Sequence, residues 1–175
     1  MDAFINGCGY SPYKCLDDAK DLKMPPSIKE YIMTTRKRVN DITEMMRENN
    51  YHMQKMTINF PKDVNDNYYC RNEVFEHLKK IPEITLVSGG YGNLEFTKAG
   101  VDKGVALHKL AQILNIAADE TMAVGDTEND MAIAKAAHIG VAMGNATDEL
   151  KAQADYVTDT NENDGVAKAI RHFMG

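Results

Sequence analysis

Hydrophobic positions along the chain follow two regimes, with the change near Ala99-Gly100. In the first regime, short alternating runs stand between helical stripes. Met56, Ile58 and Phe60 alternate with Thr57 and Asn59, which predicts a half-buried strand ended by Pro61. Ile84-Thr85-Leu86-Val87 and Leu94-Glu95-Phe96-Thr97 predict two more strands. Ser88-Gly89-Gly90-Tyr91-Gly92-Asn93 joins them. Its glycines could cradle a phosphate, but no helix start follows, so it reads as a hairpin loop. Ile28, Ile32, Thr35, Val39, Ile42 and Met46 recur at steps of four and three. That spacing predicts one helix, opened by Ser27 with Glu30 completing a capping box, lying on a sheet. Val74, Leu78 and Ile81 predict another. Residues 1–26 are punctuated by Gly7, Gly9, Pro12, Pro25 and Pro26, which predicts irregular chain with only Phe4-Ile5 buried. Residues 1–98 thus read as helices on one face of a small, mostly antiparallel sheet.

From Lys103 onward, helical stripes and short apolar runs alternate. Leu107, Leu110, Ala111 and Leu114 stripe a helix, and Met122-Ala123-Val124 is a strand. An alanine-rich helix over 131–137 leads to a second strand at Ile139-Gly140-Val141-Ala142-Met143. Thr147 opens a helix, Tyr156-Val157 is a third strand, and Val166, Ala169, Ile170 and Phe173 stripe the last helix. Such alternation implies right-handed crossovers and a parallel sheet.

Composition narrows the function classes. With 43% apolar residues the chain can bury a core, and 175 residues suit one domain or a domain with a small partner lobe. A net charge of -6 and the lack of a basic run argue against nucleic-acid or acidic-membrane partners. No run approaches the roughly 20 apolar residues of a membrane span. Cys8, Cys15 and Cys70 are scattered and odd in number and form no Cys-x-x-Cys pair, so neither a zinc knuckle nor a disulfide framework is indicated, and a reducing cytoplasm fits best. His52, His77, His108, His138 and His172 stand singly, without metal-ligand spacing.

The chemistry concentrates where the strand at 122–124 ends. Gly125-Asp126 breaks the apolar run and a helix follows, with Thr127 and Asp130 at capping-box spacing. Asp126 then lies at the carboxyl end of a strand, where open α/β sheets bind ligands. Asp126, Glu128 and Asp130 crowd acids at a helix start, which suits either a solvated cap or an oxygen-ligand cation such as magnesium. Lys103 follows Asp102, a plausible N-cap, and falls in the first turn of its helix. A cation there opposes the helix dipole, so it is either an exposed lysine or one that meets a bound anion.

Lys103-Gly104-Val105-Ala106-Leu107, Gly125-Asp126-Thr127-Glu128-Asn129-Asp130-Met131, Val141-Ala142-Met143-Gly144-Asn145-Ala146, Ala154-Asp155-Tyr156-Val157-Thr158 and Asp164-Gly165-Val166 form a specific series. Together they resemble the carboxyl-terminal part of a haloacid dehalogenase superfamily phosphatase of the Cof type. The resemblance is strongest over 93–175, fair over 50–98 and weak before 50. It implies an α/β fold: a partial Rossmannoid parallel core over 99–175, preceded by an α+β cap with an antiparallel sheet over 1–98 that sets substrate specificity. It also implies a magnesium-dependent phosphatase of small phosphorylated metabolites such as sugar phosphates. On this resemblance Lys103 contacts the transferring phosphoryl group, Asp126 is a magnesium ligand and catalytic, Asn129 contacts substrate, and Asp130 supports the metal.

The departure from the family pattern bears on activity. The family's nucleophile lies in an Asp-x-Asp-Gly-Thr motif, and this chain contains no Asp-x-Asp; the preceding Ser/Thr motif is missing too. On that comparison the chain begins inside the cap and lacks the first core strands. Without a carboxylate nucleophile no aspartyl-phosphate forms. The expectation is therefore a chain that does not hydrolyse phosphate esters by itself, or a non-catalytic truncated relative that binds magnesium or phosphate weakly. Its strand at 122–124 would expose an edge, to be covered by a second copy or by the missing amino-terminal half in trans.

Overall fold

Asn6 and Gly7 both take positive φ, 51° and 76°. They close a two-residue hairpin between β1 (Asp2–Ile5) and β2 (Cys8–Pro12), with Ile5 opposite Cys8. Two consecutive positive φ angles make the turn whose twist matches paired strands, and Asn-Gly adopts it most readily. Residues 1–18 are therefore ordered, contrary to the irregular stretch expected for 1–26; residues 19–24 of that stretch lie outside the described residues. Ala3, Ile5 and Leu16 are fully buried. This computed structural model describes residues 1–18, 25–89 and 92–175 and divides into two compact units, Met1–Ala99 and Gly100–Gly175.

The first unit continues with α1 (Tyr13–Asp18), α2 (Pro26–Thr35), β3 (Arg36–Val39), α3 (Ile42–Glu48), β4 (Lys55–Ile58), α4 (Arg71–Leu78), β5 (Ile84–Ser88) and β6 (Leu94–Lys98). Its six strands lie in the order β3-β2-β1-β4-β6-β5. All neighbours are antiparallel except β2 and β3. The β5–β6 hairpin forms as its alternation predicts, with Gly89 N–H donating to the Asn93 carbonyl at 3.1 Å. Gly90 and Tyr91 of its loop lie outside the described residues.

The single helix expected across Ile28–Met46 does not form. It breaks at Arg36, which turns extended (φ -86°, ψ 128°) and starts β3. The reason is tertiary. Arg36 Nε donates to the Asp2 carboxylate at 3.0 Å, and both side chains are buried. The backbone of 36–39 pairs with β2 in register. Steps of four and three thus run through two helices and a strand. Nor does Ser27 open α2: the helix starts at Pro26, after Pro25, with no side-chain cap. Proline suits that first position because its missing N–H is unneeded there.

Successive side chains on a strand point to opposite faces. Ala3 and Ile5 pack with Ile42 of α3 and with Tyr10, Val39 and Met56. Asp2 and Phe4 face the other way and line a cavity with Ile28, Tyr31 and Ile32 of α2. Helices therefore border both faces, where one was expected.

The second unit contains α5 (Lys103–Leu114), β7 (Met122–Gly125), α6 (Met131–Ala136), β8 (Ile139–Ala142), α7 (Asp148–Lys151), β9 (Tyr156–Val157) and α8 (Gly165–Met174). The three strands are parallel in the order β7-β8-β9, as alternation predicts, and β7 forms one edge of the sheet. The core is built of small residues around Ala134, Ala142, Met143, Ala146 and Leu150. The helix stripes are less buried than their spacing implies. Gly104 and Ala111 of α5 are buried, whereas Leu110 and Leu114 are 53% and 57% exposed. In α8, Ala169 is buried while Val166 and Ile170 are exposed. Among the described residues no helix is long and apolar enough to cross a membrane.

Candidate active site

The site grows from the end of β7. The strand finishes at Gly125, where a Cβ would lie 2.4 Å from the Cβ of Asp130. Only glycine lets the following turn fold back so tightly over the strand end. Residues Glu128–Asp130 then make a single 3-10 turn before α6. The Asp130 carboxylate closes it: Oδ2 accepts from the backbone N–H groups of Asp126 and Thr127 at 3.1 and 3.3 Å. The Thr127 hydroxyl donates to Asn129 Oδ1 at 2.7 Å. The capping spacing of Thr127 and Asp130 is thus used, with the aspartate as the acceptor. The Asp126 carbonyl accepts from Thr147 N–H at 3.0 Å, which ties the loop to the start of α7.

Lys103 reaches this loop from α5. Asp102 caps that helix, its side chain accepting from Val105 N–H at 2.8 Å. Lys103 Nζ donates to Asp130 Oδ1 and sits 3.4 Å from Asn129 Oδ1. Burial pushes the Asp130 carboxyl up. The Lys103 ammonium and the amides of Asp126 and Thr127 together outweigh it and hold the group below the ordinary carboxylate range. Both oxygens of Asp130 are therefore engaged by protein donors. Asp126 is exposed, and its carboxylate has no side-chain partner among the described residues.

All four residues singled out in the sequence, Lys103, Asp126, Asn129 and Asp130, lie in one cluster within the second unit. What the sequence reading missed is the Thr127 hydroxyl, which fixes the Asn129 side chain, and the Thr147 amide. A threonine two residues before an asparagine is a local signal for the first; nothing local announces the second. Among the described residues no group of three or more His, Cys, Asp or Glu side chains is placed to hold a metal ion. The arrangement offers the unpartnered Asp126 carboxylate, one ammonium with a single N–H donor left over from Asp130 and Asn129, and the Asn129 side-chain amide.

A parallel strand ending in an acidic loop, met by a lysine from the preceding helix, puts these side chains at the carboxyl end of the sheet, where open α/β folds bind ligands. The family model of the haloacid dehalogenase-like hydrolases matches residues 9–170, and the chain belongs to that family. It is 42% identical over 126 residues to the 5-amino-6-(5-phospho-D-ribitylamino)uracil phosphatase YcsE of Bacillus subtilis, covering 66% of this chain and 51% of that protein. A phosphoglycolate phosphatase of Methanobrevibacter smithii is 35% identical over 153 residues, 79% of this chain and 65% of its own. The structure of a haloacid dehalogenase-like hydrolase from B. subtilis superposes with a TM-score of 0.79 at 28% identity, over 99% of this chain and 65% of that one. The chain thus spans about half the length of the first of these relatives.

Proposed function

We propose that this chain carries the phosphoryl-binding half and the substrate-selecting cap of a phosphatase acting on small phosphorylated metabolites, sugar phosphates among them. Residues 99–175 are the core part and 1–98 the cap. The observation that carries the reading is the convergence of Lys103 with Asn129 and Asp130 beside the unpartnered Asp126 carboxylate. The relatives named as phosphatases support it.

In this reading Lys103 Nζ binds the phosphoryl oxygens and Asn129 orients the substrate. Asp130 positions Lys103 and the loop amides. Magnesium prefers hard oxygen donors, and the free Asp126 carboxylate is a fitting one; Asp130, already saturated by Lys103 and two amides, can only assist. The bound ion would neutralise phosphate charge. With so few carboxylates its affinity is low, and a magnesium titration followed by amide NMR is expected to move residues 125–130. The chain is expected to act in the cytoplasm, in line with its three unpaired cysteines.

A second reading, of a chain that binds without turning over, is favoured by one observation: there is no Asp-x-Asp in the sequence. We therefore expect no magnesium-dependent hydrolysis of p-nitrophenyl phosphate by this polypeptide alone. Inorganic phosphate should nonetheless perturb the amides of 103 and 126–130, and Lys103→Ala should abolish that response. Turnover lost in Asp126→Ala would overturn the non-catalytic reading, and phosphate shifts elsewhere would overturn the site. The open edge of β7 further predicts association with a second copy or with a strand supplied in trans. Light scattering at low micromolar concentration checks this; a sharp monomer peak with protected amides at 122–124 would refute it.

A further inference from the structure

The way α3 ends builds one wall of a cavity. Asn49 caps the helix, and Asn50 takes the left-handed region with φ 50°. The Tyr51 N–H then turns back to donate to the Met46 carbonyl at 2.9 Å, and the Asn50 N–H donates to the Arg47 carbonyl at 3.4 Å. This pair of bonds closes the helix end and sets the residue after the turn against the last helical turn. Tyr51 and Met53 are thereby brought beside Met46. β4 follows, with Met56 opposite Ala3 of β1. Together they border a cavity of about 460 Å³ in the first unit, on the sheet face that carries Ala3 and Ile5.

Its lining separates into two parts. Met46, Met53 and Met56 are only half-buried and form an apolar wall with Ile42. Methionine side chains are unbranched and repack around what they meet. Arg47 is exposed at the rim, and its guanidinium has no ion-pair or hydrogen-bond partner among the described residues. Among those residues no Asp or Glu lines the cavity, although the chain holds 26 acidic residues against 20 basic ones. The neighbouring cavity on α3 shows the contrast: Asp41, Glu44 and Glu48 line it beside Arg38. An apolar wall of this size with a single charged side chain at its mouth is the make-up of a small-molecule site. A guanidinium matches a carboxylate through two parallel N–H···O bonds. An alkylammonium would meet a like charge, and inorganic phosphate would leave the apolar wall in water.

We propose that this cavity binds a small amphiphile, a medium-chain carboxylate, with its apolar tail on Met46, Met53 and Met56 and its head paired with Arg47. The site lies wholly within the first unit and rests on no part of the phosphatase reading. Charge complementarity selects the head, and the apolar wall selects the tail.

The experiment is an amide NMR titration of the full chain with decanoate, kept below its micelle concentration, in parallel with decanol and with inorganic phosphate. Decanoate should shift residues 42–47 and 51–56 saturably. Decanol carries the same tail without the charge and should bind there about fivefold more weakly, the worth of an exposed ion pair. Phosphate should leave these residues unmoved. Arg47→Gln should weaken decanoate about fivefold and leave decanol as it was. Arg47 is exposed, so that variant keeps the fold. Met53→Gln, similar in size but polar, should weaken both ligands; should it not fold, the Arg47 comparison decides. No saturable shift with decanoate, equal affinity for decanoate and decanol, or undiminished decanoate binding in Arg47→Gln would overturn the proposal. So would shifts centred on the exposed Leu110, Ile113 and Leu114 of α5, which mean general adsorption of the amphiphile. Shifts at 42–56 that grow with protein concentration alone would overturn it too, and would give the cavity to a second copy of the chain.

Discussion

Two aspartate–cation pairs, one taken from each unit, are put to opposite use. In the first unit Asp2 and Arg36 have side chains only 5% and 7% exposed, and they join strands 34 residues apart in the chain. In the second unit Asp130 and Lys103 are 14% and 50% exposed and meet at the end of a strand. The first pair is sealed and is structural: Arg36 lies over the Phe4 and Tyr31 rings, and its position decides that residues 36–39 are a strand. The second is half in water, and on the function proposed above its lysine exchanges the carboxylate for a phosphoryl oxygen. Burial, more than the residue types, separates a pair that specifies the fold from one available to a ligand.

The largest effect should come from breaking the sealed pair. Arg36→Ala leaves the Asp2 carboxylate buried without its cation, and such a loss costs about 3–5 kcal/mol. Urea denaturation should show this, together with lost amide protection in β2 and β3. A change below about 1 kcal/mol, the range of an exposed pair, would erase the contrast between the two units.

A local device in the same unit should weigh less. A Cβ at Gly7 would meet nothing within 4 Å, so Gly7→Ala strains the turn only through its φ of 76°. A left-handed conformation costs a non-glycine residue about 1–2 kcal/mol. Thermal unfolding is expected to shift accordingly, and an unchanged midpoint would mean that the hairpin does not rest on that turn.

The smallest effect belongs to the second pair. Lys103→Ala removes a half-exposed partner, and stability should fall by no more than about 1 kcal/mol. Acid sensitivity sharpens the point. Asp130 and Asp159 are both held below the ordinary carboxylate range. For Asp159 the causes are the Lys168 ammonium and the Thr160 amide. The unfolded chain, whose aspartates titrate near pH 3.9, therefore binds more protons than the folded one in that region. The stabilisation is fully present above about pH 4 and is lost as pH falls through the folded values. Asp130→Asn should flatten the acid limb of the stability curve. An acid limb identical to that of the unaltered chain would show that Lys103 does not hold the Asp130 proton off.

Much of the second unit was legible in its sequence because local rules govern it. The apolar runs at 122–124 and 139–143 became parallel strands, Asp102 and Thr147 capped the helices that follow them, and Lys103, Asp126, Asn129 and Asp130 met. These contacts use short turns and helix starts, where a residue's own chemistry dictates its partner. In the first unit the Asn6-Gly7 turn was equally local, and the prolines and glycines around it masked it. The four-and-three spacing from Ile28 to Met46 carried real helical signal at both ends, yet its middle became β3. Nothing within 36–39 says so, because the deciding partners are β2 and the Asp2 carboxylate.

The sequence by itself thus determined the order of strands and helices after Ala99, the loop chemistry at Gly125-Asp126 and the family to which the chain belongs. Only the tertiary structure decided where β3 lies and that helices border both faces of the six-stranded sheet. The physical reason is range. Hydrogen bonds to nearby backbone groups and the twist of a turn act over a few residues and leave a mark in the local pattern. Strand pairing and the burial of charge depend on residues tens of positions away, and a local pattern does not show which of them will be present.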